Sequence, residues 1–121
     1  MKVHAIAVLL LVGITLCACQ SGRRAAEPAL LMQGDSLAMQ RLMSTLATEM
    51  KRTPIDLGPS DPTRSPVISV LPLPPGLLDD RSLALPTTFR LEWDGETCWL
   101  IRDDTRVRHE LDGVTCRSAG G

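Results

Sequence analysis

What this chain lacks narrows its function sooner than what it contains. There is no excess of positive charge: thirteen Lys and Arg stand against fourteen Asp and Glu, for a formal net charge of −1. The electrostatic footprint of a nucleic-acid binder is therefore missing. No apolar stretch reaches the roughly 20 residues that a membrane-spanning helix requires. Aromatic residues are scarce, at one Phe, two Trp and no Tyr. Only His4 and His109 supply imidazoles, and no Gly-rich phosphate loop or nucleophile set beside a base by a recognisable motif occurs in the 121 residues. The expectation is a protein with no enzymatic activity and no cofactor.

What is present begins at the N-terminus. Met1-Lys2-Val3-His4 is a short, positively charged segment, and residues 5–16 form a twelve-residue apolar run, the length of a signal-peptide core rather than of a span. That run ends in Leu16-Cys17-Ala18-Cys19. An aliphatic residue, a tolerant position, a small residue and then Cys resemble the lipobox of bacterial lipoproteins, over the first twenty residues of the chain. The resemblance implies that residues 1–18 are removed as a signal peptide and that Cys19 becomes the N-terminus, with a diacylglyceryl thioether and an acylated amino group. Cys17 does not fit as acceptor, because the bulky Leu16 precedes it. Each buried methylene contributes about 0.8 kcal/mol, so several chains hold a protein firmly to its membrane. Gln20 after the lipidated position implies an outer-membrane destination with the protein facing the periplasm.

Export of this kind sets the cysteine arithmetic. Cys17 leaves with the signal peptide and Cys19 is lipidated, so Cys98 and Cys116 are left in an oxidising compartment and point to one disulfide. A rival reading gathers Cys98, His109 and Cys116 as metal ligands. Zinc wants four ligands and structural sites usually carry close Cys pairs, so no metal is expected.

Residues 19–34 read as lipid anchor and flexible tether, with Ser21, Gly22, Pro28 and Gly34 spaced along them. Residues 35–53 then read as an amphipathic helix. Asp35 or Ser36 is placed to cap it, and Met39, Leu42, Met43, Leu46, Ala47 and Met50 recur on one face. Pro54 disfavours helical geometry in Thr53, so the helix ends there at the latest. Residues 54–86 carry eight of the nine prolines and form a Pro-rich connector, in which residues 67–71 have the character of a short edge strand.

Residues 87–121 have the pattern of a small β domain. Phe89, Leu91 and Trp93 alternate with Arg90 and Glu92, and Asp94-Gly95 supplies a two-residue hairpin signal. That turn predicts Leu91 opposite Cys98 and Phe89 opposite Leu100. Asp103-Asp104 closing a second hairpin predicts Val107 opposite Leu100 and His109 opposite Cys98. A third turn at Asp112-Gly113 conflicts with the disulfide, because it leaves Cys116 two strand spacings from Cys98, nearly 10 Å. The last strand is expected to leave the ladder and cross to Cys98.

The fold class that follows is α+β: one amphipathic helix, a Pro-rich connector and a small antiparallel meander stapled by one disulfide. The functional expectation is a lipid-anchored envelope lipoprotein, a structural or accessory subunit of an outer-membrane assembly of secretion, conjugation or pilus type. Its partners are then the membrane, through the N-terminal lipid, and other envelope proteins. The alternative is a periplasmic binding module that presents its β face to a ligand, a peptide or peptidoglycan. For either, Trp99 on the sheet and Met39, Met43 and Met50 on the helix are the candidate binding surface, Met being common at adaptable contact surfaces.

Overall fold

The helix forms where the sequence places it, and its ends show why. In the computed structural model, which describes residues 25–74 and 85–120, the first strand β1 is Glu27–Leu31 and the helix α1 is Ser36–Met50. The Asp35 carboxylate accepts the Ala38 backbone N–H at 3.0 Å, satisfying one of the donors left open at the start of the helix. At the other end Lys51 adopts a left-handed conformation, φ 54°, and Arg52 N–H returns to the Ala47 carbonyl at 3.2 Å. The helix thus closes at Met50, before Pro54 has to stop it. Ala38, Leu42 and Leu46 recur every four residues, and all three are buried.

Five further strands lie among the described residues: β2 (Val67–Val70), β3 (Thr87–Trp93), β4 (Cys98–Arg102), β5 (Arg108–Glu110) and β6 (Cys116–Ser118). All pairings are antiparallel, in the order β5-β4-β3-β1-β6, with β2 also on β3. Strand β3 is the hub. One edge pairs with β4 from Phe89 to Trp93; the other takes β2 along residues 87–90 and Glu27 and Pro28 of β1 opposite residues 92 and 93. Strand β1 then leaves β3 and pairs with β6 through Ala29, Leu30 and Leu31.

Residues 27–31, which the sequence places inside a flexible tether, are therefore a strand, and Ala29, Leu30 and Leu31 lie in the core. The connector likewise contributes: Ile68 and Val70 are fully buried beside Phe89, Leu91, Leu100, Leu42 and Leu46 in one cluster. Helix, connector strand and meander share a single core. The outer edge of β2 is closed by the Pro-rich loop before it, where Ser65 Oγ accepts from Val67 N–H at 3.2 Å, Ser60 Oγ from Ser69 N–H at 3.0 Å and the Asp56 carbonyl from Leu71 N–H at 2.8 Å. An edge occupied in this way no longer offers itself to another chain.

Both hairpins are shifted by two residues from the expected register. The observed pairs are Trp93 with Cys98, Leu91 with Leu100 and Phe89 with Arg102, then Leu100 with His109 and Ile101 with Arg108. The cause is loop length. Residues 94–97 form a four-residue loop because the Asp94 carboxylate accepts the backbone N–H groups of Glu96 at 3.0 Å and Thr97 at 2.7 Å. Residues 103–106 form another, closed by Arg106 N–H to the Arg102 carbonyl at 2.8 Å with Arg106 at φ 62°. A shift of two preserves the face of every side chain, since the strand period is two. Val107 nevertheless falls just before β5, its carbonyl accepting from Arg102 N–H at 2.9 Å, and stands 42 % exposed.

The last strand does leave the ladder. Gly113, at φ 69°, turns the chain, and β6 crosses to pair with β1 rather than with β5. Cys116 there bonds Cys98 of β4 with the Cα atoms 5.9 Å apart.

Candidate functional site

The lipidation position Cys19 lies outside the described residues. Cys98 and Cys116 are buried and bonded to each other, joining the two sides of the sheet. Neither sulfur is then a free thiolate, and among the described residues no group of three or more His, Cys, Asp or Glu side chains is arranged to hold a metal ion. Among the same residues no helix is long and apolar enough to cross a membrane.

Trp99 is less available than an exposed strand position suggests. It alternates away from the core with Ile101, on the sheet face opposite α1. Its indole N–H donates to Asp94 Oδ2 at 3.2 Å, and the Arg108 guanidinium lies 4.5 Å from its ring centroid. A cation over an aromatic face is held by the ring quadrupole, so Arg108 occupies a surface that a ligand would need. The Asp94 carboxyl that fixes the indole is itself held down to about 2, first by the backbone N–H of Thr97, then by that of Glu96, with a smaller contribution from Trp99. One carboxylate thus closes a loop and orients an aromatic ring.

Met39, Met43 and Met50 are partly buried and pack against the core cluster. They fill the margins of the helix–sheet interface. Met39 alone also lines a shallow cleft of about 230 Å³, with Leu31, Met32, Gly34, Asp35, Ser36 and Thr63. That is smaller than the roughly 300 Å³ at which small-molecule pockets begin.

The most developed charged cluster is one that sequence reading passes over. Glu49, in the last turn of α1, places Oε1 3.2 Å from Arg102 Nη1 and Oε2 2.8 Å from His109 Nε2. Arg102 also holds Asp104, Nε to Oδ1 at 2.7 Å, and this bond is the main reason the Arg102 guanidinium is raised and the Asp104 carboxyl lowered from their ordinary values. A helix and two strands meet at the Glu49 carboxylate, and Arg102 links them to the 103–106 loop through Asp104. Residue spacing gives no signal for it, because Glu49 and Arg102 are 53 positions apart. The cluster can fix the end of α1 on the β4–β5 edge. It places no nucleophile beside a base.

Comparison of the chain with protein-family models, curated proteins and solved structures finds no match.

Proposed function

We propose that this protein is a lipid-anchored envelope lipoprotein that serves as a non-enzymatic structural or accessory subunit of an outer-membrane assembly of secretion, conjugation or pilus type. One observation carries the reading: the lipobox-like Leu16-Cys17-Ala18-Cys19 is followed, eight residues after Cys19, by the first strand of a small disulfide-stapled domain. A signal of that form delivers a protein to a membrane surface, and a disulfide between buried cysteines suits the oxidising side. The side chains that sequence reading offered as ligand contacts are engaged internally, which favours a scaffold over a binding pocket. Met39, Met43 and Met50 pack against the core cluster, and Arg108 lies over Trp99.

Intact mass of the protein extracted from membranes tests the anchor. The expected species begins at Cys19, carries the mass of three acyl chains and shows two thiols only after reduction. A chain that keeps an unmodified Cys19 thiol removes the reading. Crosslinking in gently solubilised membranes tests the assembly role; a protein that remains monomeric and captures no neighbour removes that part.

A further inference from the structure

Strand β1 changes how far the domain can stand from its membrane. Had the chain been free up to Gly34, the anchor could have let it reach far. Glu27 is already fixed in the sheet opposite Trp93, and the Pro28 carbonyl accepts from Ala119 N–H at 2.8 Å. Only seven residues, 20–26, separate Cys19 from that strand. Whatever their conformation, eight Cα steps span at most about 29 Å. A domain of this size has a radius of gyration of about 12 Å and so a diameter near 30 Å, and its tether is no longer than its own width.

The antiparallel registers decide which end is near. Strand β1 runs away from the tether, so its partners bring their opposite termini to the tether side: Trp93 and the 94–97 loop from β3 and β4, Glu110 from β5, and residues 118–120 after β6. Met32, Asp35 and the start of α1 lie at the other end of β1, four strand residues and about 14 Å farther along. From this we infer that the end of the sheet formed by Glu27, the 94–97 loop and residues 118–120 is the membrane-facing surface, apposed to the lipid headgroups of the bilayer that holds Cys19. The inference rests on the lipid anchor proposed above. Glu27, Asp94 and Glu96 at this end give an anionic surface nothing to attract, so the tether alone enforces the apposition. Any protein partner must then meet the domain at the bilayer surface, on its sides or its far end.

Both tryptophans of the chain sit at the near end, Trp93 paired with Glu27 and Trp99 bonded to Asp94. The lipidated full chain is reconstituted in phosphatidylcholine vesicles containing dansyl-labelled phosphatidylethanolamine, and flotation is read before energy transfer from tryptophan. Native protein is expected to float and to show strong transfer, and inserting twenty Gly and Ser residues between Ala25 and Ala26 is expected to reduce that transfer by half or more while flotation is kept. A second variant, Leu37→Trp with Trp93→Phe and Trp99→Phe, moves the donor to the far end, where Leu37 is 58 % exposed, and is expected to transfer less than the native pair. Protein that floats with weak transfer, transfer unchanged by the insertion, or a far-end donor that matches the native one overturns the inference alone. Native protein that does not float removes the anchor and the inference with it.

Discussion

The two faces of the β3–β4 ladder are built from the same strands by opposite means. On the covered face Phe89, Leu91, Cys98 and Leu100 lie under Leu42 and Leu46 of α1 with no measurable exposure beyond 1 %. On the open face Ile101 is covered, but Arg90, Glu92, Trp99 and Arg108 are exposed or half-buried, and their contacts are polar: Arg90 to Asp103 at 3.0 Å, Trp99 to Asp94, and Arg108 over the indole. The contrast teaches where the stability resides. Burial of apolar area is close to all-or-none, whereas each solvated charge contact contributes little after screening and side-chain entropy.

Substitutions can test that division in order of expected size. Leu46→Ala on the covered face leaves a cavity that α1 cannot close without losing Leu42, and should cost about 2–5 kcal/mol in denaturant titration. A loss under 1 kcal/mol would mean that the helix is not part of the cooperative unit. Replacing both Cys98 and Cys116 by Ala should cost about 3 kcal/mol, since the bridge closes an 18-residue separation. The loss should appear as earlier release of β6, read by hydrogen exchange at Arg117 and Ala119.

Asp94 lies at the edge of the open face and carries a pH signature. Its carboxyl is ordinary, near 4, in the unfolded chain and about 2 in the folded one. Its contribution is therefore complete above pH 4 and is lost as pH falls through about 2. The advantage of native protein over Asp94→Asn, which keeps an acceptor oxygen, should be present at pH 5 and mostly lost at pH 2. The smallest effect is expected for Arg108→Ala, about 0.5–1 kcal/mol for an exposed cation on a ring, with a measurable change in Trp99 emission. An Arg108→Ala loss as large as that of Leu46→Ala would erase the contrast between the faces.

Legibility followed the range of the interaction. The helix was readable, with its cap narrowed to Asp35 or Ser36 and Leu42 and Leu46 placed on its apolar face, because these signals act within a few residues of one another. The burial of Ala38 was not part of that pattern. The strand faces of β3 and β4 were readable from their alternation, but their register was not. Asp94-Gly95 looks like a complete turn until the Asp94 carboxylate is seen to gather Glu96 and Thr97 as well. Strand β1 was hidden by its setting: Ala29, Leu30 and Leu31 are a short apolar run beside Pro28 and Gly34, and three residues carry no period. Of the candidate binding residues, Trp99 and the three methionines were found by type, while their engagement with Arg108, Asp94 and the core was set by residues far along the chain.

The sequence by itself determined the α+β class, the amphipathic face of the helix, the alternation of the central strands and the expectation that Cys98 pairs with Cys116. These follow from local periodicity and from residue counts, which need no long-range contact. Only the tertiary structure decided that residues 27–31 belong to the sheet, that β6 lies beside β1, and that Glu49 at the end of the helix lies against Arg102 and His109. Each of those depends on which distant segment supplies the missing hydrogen-bond partner or buries the short apolar run. That choice is settled by the free energy of the whole core rather than by any stretch of it.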